Sequence, residues 1–493
     1  MTTTSARPTS APEPADPRWD RVETARRVQA LLPALRQRLG DRVSTAAPVL
    51  DHHAGGGEGV PISSRPDAVL FPLDNEEVAF VARQCFEAGV PIVPFGTGTS
   101  LEAHVAAVHG GISLDLSRMD RILDVSADSL DCRVQAGVTR LRLNAAVRDQ
   151  GLFFPIDPGA DASLGGMAST RASGTAAVRY GTMRDAVLGL TVVTADGRIV
   201  RTGTRARKTA AGLDLTRLFV GSEGVLGIVT ELQLRLWGLP ETVQAAVCQF
   251  ADLPAAVRSV ITTLQMGIPV ARIELLDAVQ MGACIAYSKL EGLSPLPTLF
   301  IEFHGTPASV REQIELLEQI AADGGGSGFA WAERPEDRSR LWKARHDVTY
   351  ANLALRPGCR MIGTDACVPI AALVECIEQT LADVADSGLV APLVGHVGDG
   401  NFHLGILFDP KSEDERARAE ALAERVALRA IGLGGTCTGE HGIGLHRMHQ
   451  LVAEHGEGVA LMRSIKQALD PKGIMNPGKM FRPEPPTRPG ETE

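Results

Sequence analysis

Residues 158–175 read PGADASLGGMASTRASGT, a run in which nearly every side chain is small. The run is longer than a single turn requires. Backbone without bulky side chains allows a flat ligand to lie directly against it, and it also allows helices to pack closely. The segment therefore indicates either a ligand cradle or a tightly packed helix.

Two further glycine-rich segments flank this run. Residues 91–100, PIVPFGTGTS, follow a predicted helix and leave a predicted buried strand. Their backbone N–H groups and hydroxyls could form a nest that binds a pyrophosphate, although an ordinary turn has the same composition. Leu101 stands where a Rossmann fingerprint needs its third glycine, and no Gly-Lys-Ser/Thr of a Walker loop follows. Residues 218–230, LFVGSEGVLGIVT, predict another turn between buried strands.

Length and composition bound the class of protein. A chain of 493 residues predicts two or three domains, and 44% hydrophobic with 22% charged residues is typical of a soluble globular protein. The net charge of −10 argues against a nucleic-acid partner, because phosphates would be repelled. No uncharged apolar run is long enough for a membrane span.

The cysteines and the two ends of the chain indicate the cellular compartment in which the protein is expected. Eight scattered cysteines without a CxxC pair argue against a thiolate zinc site or an iron–sulfur cluster. A chain of this size needs no disulfide framework, so we expect a cytoplasmic protein. The N-terminus, MTTTSARPTSAPEPADPRWD, carries acids and lacks an apolar core, so a signal peptide is not expected. Its composition, like that of RPEPPTRPGETE at the other end, predicts disorder.

Hydrophobic periodicity predicts how the chain is divided. We expect an N-terminal arm and a helix over residues 1–60. Residues 61–240 alternate short helices and strands, and longer strand–helix alternations follow over residues 241–481. Residues 482–493 form the predicted disordered tail.

The three glycine-rich segments, in this order and spacing, resemble those of the vanillyl-alcohol oxidase and p-cresol methylhydroxylase superfamily. Within it, residues 65–481 look like the group of D-lactate dehydrogenases, glycolate oxidase flavin subunits and D-2-hydroxyglutarate dehydrogenases, and most like the first. The resemblance implies an α+β fold. A two-subdomain, PCMH-type FAD-binding domain comes first, followed by a substrate domain with an antiparallel sheet and helices. The final segment, around Asn476, would return to the flavin domain.

The resemblance also implies which residues contact FAD. Since His104 lies beyond the tip of the first segment, we expect FAD to be held non-covalently. Arg171 departs from the small residues usual at its position. The expected FAD contacts are Pro94, Gly96, Thr97, Gly98, Thr99, Ser100, Leu101, Pro158, Gly159, Ser163, Leu164, Gly165, Gly166, Thr170, Gly174, Thr175, Gly181, Glu223, Gly224, Gly227, Ile228 and Asn476.

Residues 395–403, GHVGDGNFH, predict a β-hairpin. If Asp399 and Gly400 form a two-residue turn, His396 lies directly opposite His403 on one face of the sheet. Two imidazoles so placed could chelate Zn²⁺, Mn²⁺ or Fe²⁺. The alternative is a pair of histidines on a half-exposed sheet face without a metal.

Residues 435–444, GTCTGEHGIG, place an acid beside a histidine among glycines. In the resembled family the two hairpin histidines and this glutamate bind a divalent metal, and the adjoining histidine is the catalytic base. The resemblance thus implies His396, His403 and Glu440 as metal ligands, zinc first, and His441 as base. In an extended chain Glu440 and His441 would face opposite sides, so a bent backbone is expected.

Residues 341–350, LWKARHDVTY, predict a helix on which Arg345 and Thr349 share a face. Arginine is a natural bidentate partner of a carboxylate, and the family uses the matching pair to hold the substrate carboxylate. A surface ion pair is the alternative. Gly363 stands near the point where the hydroxyglutarate branch has a lysine for a second carboxylate, which favours a monocarboxylate substrate.

The expected function is that of an FAD-dependent dehydrogenase that oxidises a short D-2-hydroxy acid, above all D-lactate. Its electron acceptor would be cytochrome c, a quinone or an electron-transfer flavoprotein. If the protein contacts a membrane, we expect it to do so peripherally, through that acceptor. Three alternatives stay open. The first is a glycolate oxidase flavin subunit, which could be catalytic or non-catalytic. The second is a D-2-hydroxyglutarate dehydrogenase, and the third is a metal hydrolase that uses the same His/His/Glu cluster.

Overall fold

A computed structural model of the chain describes residues 18–55, 64–332 and 335–481. The predicted C-terminal tail and residues 1–17 of the predicted arm lie outside the described residues. The expected first helix is present at Arg21–Leu39 and begins at Asp20, whose side chain accepts a hydrogen bond from the backbone N–H of Glu23. Among the described residues, no helix combines the length and the apolar character that crossing a bilayer requires.

Two larger sheets share one hydrophobic core in the N-terminal half of the described chain. The first sheet has the strand order Val43–Ser44, Ala68–Leu70, Ile112–Asp115 and Ile92–Phe95. Its last three strands are parallel, and the helix Asn75–Ala88 connects Ala68–Leu70 to Ile92–Phe95, which lie on either side of Ile112–Asp115. The second sheet is antiparallel in the order Ile122–Ser126, Asp131–Gln135, Ile228–Arg235, Val187–Val193 and Ile199–Arg201.

Short helices cover these sheets and position the glycine-rich segments. A small two-stranded sheet, Leu152–Phe153 with Trp237–Gly238, closes this half. The helices of this half after the first are Ala47–His52, Asn75–Ala88, Arg140–Val147, Leu164–Thr170, Ala177–Tyr180, Met183–Ala186 and Leu215–Phe219.

The C-terminal half is built on one large sheet with its own core. The strand order is Gly326–Ala332, Thr242–Phe250, Thr298–Gly305, Val270–Leu276, Leu393–His396, Asn401–Phe408 and Arg360–Gly363, with Ala366–Cys367 also paired to Asn401–Phe408. The pairings are antiparallel throughout. The helices are Leu253–Gln265, Ala278–Ser288, Pro307–Asp323, Pro335–His346, Val348–Leu355, Leu373–Ser387, Glu413–Gly432, Met448–His455 and Gly458–Leu469.

The last described segment returns to the N-terminal half. The backbone N–H of Ile92 donates to the carbonyl of Ile474, and the N–H of Asn476 donates to the carbonyl of Ile92, both at 2.8 Å. Ile474 and Met475 are fully buried in the N-terminal core. The mixed helix-and-sheet fold expected from the sequence, including this return, is confirmed.

Two local predictions are wrong. The predicted continuous helix that should carry Arg345 and Thr349 is broken at Asp347, which ends one helix and precedes the next. In the hairpin, the turn takes four residues instead of two, so that His396 lies opposite Asn401 and not opposite His403. His396 and His403 are therefore diagonal neighbours, which still places them on the same sheet face.

Candidate active site

The three glycine-rich segments meet around one cavity of about 530 Å³. Gly174 and Thr175 line an adjoining cavity, whereas Leu164, Gly181 and Ile228 line neither. Leu164 and Ile228 instead fill the N-terminal core. The other positions assigned to FAD line the first cavity: Pro94, Gly96, Thr97, Gly98, Thr99, Ser100, Leu101, Pro158, Gly159, Ser163, Gly165, Gly166, Thr170, Glu223, Gly224, Gly227 and Asn476.

The walls of this cavity fit a large polar cofactor such as FAD. The hydroxyl oxygens of Ser100 and Ser163 are buried and have no hydrogen-bond partner among the described residues. A Cβ added at Gly159 would meet nothing within 4 Å, so bare backbone faces open space there. At Gly165 an added Cβ would lie 2.6 Å from Cβ of Ala136, so this glycine serves close packing. The run 158–175 therefore combines residues that face the cavity with residues that serve close packing.

A second cavity of about 210 Å³ adjoins the first. Glu440 and His441 line both cavities, and Thr349 does so as well. Arg345 and His396 line only the second one. The structure thus brings the residues assigned to metal, base and substrate to the junction with the cavity assigned to FAD.

His396, His403 and Glu440 bring three potential ligand atoms within 4.8 Å of one another. Nε2 of His396 lies 3.3 Å, and Nε2 of His403 lies 3.4 Å, from Oε1 of Glu440. Two imidazole nitrogens and one carboxylate suit zinc, manganese or iron(II) and leave coordination positions open. The residues present therefore fit a divalent metal.

Both histidines are oriented through their other ring nitrogen. Nδ1 of His396 is 2.7 Å from Oε1 of Glu274, and Nδ1 of His403 is 2.9 Å from the carbonyl oxygen of Thr364. Such partners hold the hydrogen on Nδ1 and leave Nε2 for a metal. Burial alone would lower the pKa of His396, but the carboxylates of Glu274 and Glu440 raise it well above its usual value.

Asp365 bends the backbone that carries Glu440 and His441. Its Oδ2 accepts hydrogen bonds from the backbone N–H groups of Glu440 at 2.9 Å and His441 at 2.8 Å, and from Oγ1 of Thr438 at 2.6 Å. The His441 ring stacks on that of His403 with 5.1 Å between centroids. Burial lowers the pKa of His441, which favours a neutral ring able to accept a proton.

Arg345 is buried and is joined to the metal cluster through Glu274. Its Nε and Nη2 lie 2.8 and 2.5 Å from Oε2 of Glu274, whose other oxygen contacts His396. Burial would raise the pKa of Glu274, but His396 and Arg345 lower it. Although Arg345 and Thr349 lie on successive helices, both still line the second cavity.

Comparisons with known proteins fit this arrangement. A model of the FAD binding domain matches residues 66–203, and a model described as "FAD linked oxidases, C-terminal domain" matches residues 239–480. The probable mitochondrial D-lactate dehydrogenase of Danio rerio is 50% identical over 459 residues, which are 92% of this chain and 92% of that protein. The chain belongs to the FAD-linked oxidase family. It is an FAD-linked oxidoreductase that acts on CH–OH groups, which rules against a metal hydrolase.

Two further similar proteins extend this comparison. The mitochondrial D-lactate dehydrogenase (cytochrome) of Arabidopsis thaliana is 46% identical over 85% of this chain and 74% of its own length. The crystal structure of p-cresol methylhydroxylase with substrate bound covers 94% of this chain and 97% of its own, with a TM-score of 0.77 at 18% identity. That structure shares the fold, which confirms the resemblance seen in the glycine-rich segments.

The prediction of a cytoplasmic location is wrong. Both named D-lactate dehydrogenases are mitochondrial proteins, and they point to mitochondria instead. The absence of disulfides on which the prediction depended does not distinguish one reducing compartment from another.

Several residues of the FAD-linked oxidase site were missed by sequence reasoning. Glu274 is an isolated acid in the apolar strand Val270–Leu276, a pattern that could have been noticed. Asp365 follows a short strand without any motif, and its role depends on contacts with residues more than seventy positions away. His346 lines both cavities and directly follows the predicted Arg345.

Proposed function

We propose that this FAD-linked oxidase oxidises short D-2-hydroxy monocarboxylates, with D-lactate to pyruvate as its main reaction. The observation that carries the proposal is the position of His441 beside the His396–His403–Glu440 cluster, where the two cavities meet. The names of the Danio and Arabidopsis relatives support D-lactate as the substrate. In this scheme residues 61–240 bind FAD, and residues 241–481 bind metal and substrate.

Two groups would supply chemistry that side chains lack. FAD, held by the three glycine-rich segments, accepts a hydride when it is bound. A divalent metal, held by His396, His403 and Glu440, would lower the pKa of the substrate hydroxyl.

The substrate carboxylate binds to Arg345 in this proposal. The guanidinium already pairs with Glu274 through Nε and Nη2, which leaves N–H groups on Nη1 for a second carboxylate. Thr349 adds a hydroxyl on the same cavity wall. Holding the carboxylate fixes the orientation of the neighbouring Cα–H bond, and such orientation contributes much of a catalysed rate.

His441 takes the hydroxyl proton. Its Nδ1 has no hydrogen-bond partner among the described residues, and the nearest carboxylate oxygens are Oε1 of Glu102 at 3.9 Å and Oδ2 of Asp365 at 4.0 Å. In this proposal the ring hydrogen is on Nδ1, on the side of these carboxylates, and Nε2 accepts the proton. The hydroxyl gives up a proton and Cα gives up a hydride, which accounts for both hydrogens and both electrons lost between a 2-hydroxy acid and a 2-oxo acid.

The choice of a monocarboxylate follows from the cations around the second cavity. Gly363, where a lysine for a second carboxylate would stand, lines the cavity. Lys343 points to Asp347 and is exposed, and Arg360 is exposed as well.

The electron acceptor is cytochrome c in this proposal, ahead of a quinone or an electron-transfer flavoprotein, because the Arabidopsis relative carries "cytochrome" in its name.

A dye-linked assay of the isolated chain tests the proposal. D-lactate, L-lactate, glycolate, D-2-hydroxybutyrate and D-2-hydroxyglutarate are compared with an artificial acceptor. The proposal requires the largest kcat/KM for D-lactate or D-2-hydroxybutyrate and none for L-lactate. A preference for glycolate would favour a glycolate oxidase subunit, and one for D-2-hydroxyglutarate would favour the hydroxyglutarate branch.

A further inference from the structure

Glu440 and His441 belong to a turn, residues 440–444, that a buried carboxylate holds from the C-terminal half. Asp365 is almost fully buried, and its Oδ2 accepts two consecutive backbone N–H groups of this turn. Its Oδ1 accepts a hydrogen bond from Nδ2 of Asn401 at 3.0 Å and lies 3.5 Å from Nδ1 of His403. Asp365 thus ties the turn to the strand that carries a proposed ligand.

A second buried carboxylate holds the same turn from the N-terminal half. Oε1 of Glu223 accepts a hydrogen bond from the backbone N–H of Ile443 at 2.7 Å, and Oε2 accepts one from that of Gly444 at 2.9 Å. Glu223 belongs to the third glycine-rich segment and lines the cavity assigned to FAD. Because both of its oxygens are engaged by the turn, its side chain serves the turn, and its charge would in any case repel a pyrophosphate.

The turn packs closely against Glu223 and Glu102. A Cβ added at Gly442 would lie 2.7 Å from Oε1 of Glu223, and one at Gly444 would lie 2.0 Å from the carbonyl oxygen of Glu102. Both glycines also have positive φ, +83° and +50°. A displacement of Glu223 would therefore move the turn, and with it the ring of His441.

We infer that Asp365 and Glu223 are positioning residues that clamp the turn 440–444 between the two halves of the molecule. Asp365 sets Glu440 and His441 relative to the hairpin histidines, and Glu223 sets the turn relative to the flavin cavity. Hydrogen bonds from N–H groups to a carboxylate are charge-assisted, and small misplacements of a catalytic group are costly in rate. The inference rests on the roles proposed for Glu440 and His441.

Replacing the two carboxylates should change different properties of the enzyme. Asp365 adjoins the proposed ligands, so Asp365→Asn should weaken metal binding by roughly 10–100-fold, as loss of a partner that orients a ligand does. Glu223 touches none of the three ligands in the contacts above. Glu223→Gln should therefore leave the affinity for metal unchanged and slow flavin reduction at saturating D-lactate by about tenfold or more, with little change in KM.

Asp470→Asn provides a matched control. Asp470 is a fully buried carboxylate that also accepts two consecutive backbone N–H groups, those of Ile474 at 3.1 Å and Met475 at 2.7 Å. It lines neither cavity. If a buried carboxylate matters only for folding, all three variants should lose thermal stability and resemble one another in every other measurement.

Three measurements on the FAD-loaded full chain test the inference. Titration with Mn²⁺ alone gives metal affinity, anaerobic rapid mixing with D-lactate gives the rate of flavin reduction, and hydrogen exchange gives the protection of residues 440–444. We expect weaker Mn²⁺ binding only in Asp365→Asn, slower reduction in Glu223→Gln, and faster exchange of the turn in both. Unchanged exchange of the turn, or reduction by Glu223→Gln as fast as in Asp470→Asn, would overturn the inference.

Two further provisions keep the test decisive. If Asp365→Asn does not fold, Thr438→Val replaces it, and only its Mn²⁺ affinity is compared. This change removes the 2.6 Å hydrogen bond from Oγ1 of Thr438 to Oδ2 of Asp365 and also the 2.9 Å bond that Oγ1 accepts from the backbone N–H of Gly442 in the turn. If the unaltered chain is not reduced by D-lactate, the proposed function has failed. Hydrogen exchange alone then tests whether the two carboxylates hold the turn, because this measurement requires no substrate.

Discussion

Oε1 of Glu274 lies 2.7 Å from Nδ1 of His396, deep between the second cavity and the C-terminal core. The other oxygen of the same carboxylate pairs with Arg345. One fully buried acid therefore orients both a proposed metal ligand and the proposed binding group for the substrate carboxylate. The two functions are coupled in this molecule through a residue that touches neither metal nor substrate in our proposal.

Glu274→Gln should weaken both functions together. The neutral amide cannot balance Arg345 and His396 at once, so we expect metal affinity to fall by roughly 10–100-fold and KM for D-lactate to rise. Metal titration and steady-state kinetics measure the two effects. Glu302→Gln is the control, since Glu302 is a buried acid on a neighbouring strand that pairs with Arg272 and His304. Normal metal binding by Glu274→Gln would contradict the orienting role.

His396→Ala and His403→Ala should each abolish turnover while the flavin content stays near normal. Both histidines lie on the hairpin of the C-terminal half, and they line the second cavity but not the cavity assigned to FAD. His455→Ala is the control, because His455 is exposed and lines neither cavity. Metal removal by EDTA should have the same effect as either alanine variant. Full activity of a chain shown by analysis to be metal-free would refute the metal site.

FAD should leave the protein when it is precipitated with acid. His104 lines the flavin cavity, and its Nε2 lies 3.3 Å from Oε2 of Glu223. Because it lies beyond the tip of the first glycine-rich segment, we do not expect it to bond to the flavin. We expect the yellow colour in the supernatant. Colour that stays in the pellet of the unaltered chain, and is released from His104→Ala, would instead identify a covalent bond at this residue.

D-2-hydroxyglutarate should be a poor substrate. A second carboxylate would enter a cavity in which Gly363 offers no cation, and a buried unpaired carboxylate costs several kcal/mol. We expect kcat/KM at least about 100-fold below that for D-lactate, which corresponds to about 2.7 kcal/mol. Gly363→Lys should narrow this ratio, since it adds the missing cation. Equal efficiency for the two acids in the unaltered chain would show that another cation serves the second carboxylate.

The parts of the site predicted from sequence are those specified by local pattern. The glycine-rich segments combine small side chains with fixed spacing, and the hairpin histidines flank an unmistakable Asp-Gly turn signal. The register of that hairpin could not be derived locally. The strand Ala366–Cys367 pairs with Phe402 and Asn401 from the other side, and the N–H of Val368 bonds to the carbonyl of Gly400. A distant strand therefore sets which residues face His396.

The same reason explains the broken helix. Periodicity over residues 341–350 predicts one continuous face, yet the backbone of Asp347 leaves the helical conformation, with φ −80° and ψ 6°, and a second helix begins after it. Arg345 is drawn to Glu274, seventy-one residues earlier in the chain. Contacts of this separation decide where a side chain points, and a single sequence does not reveal them.

The measurement that tests the central claim most directly is anaerobic mixing of the FAD-loaded, metal-replete chain with D-lactate or L-lactate, followed through the visible absorbance of the flavin. The account predicts that D-lactate bleaches the flavin, that L-lactate does not, and that His441→Ala removes the bleaching without removing FAD. A flavin that stays oxidised in the presence of D-lactate would contradict it.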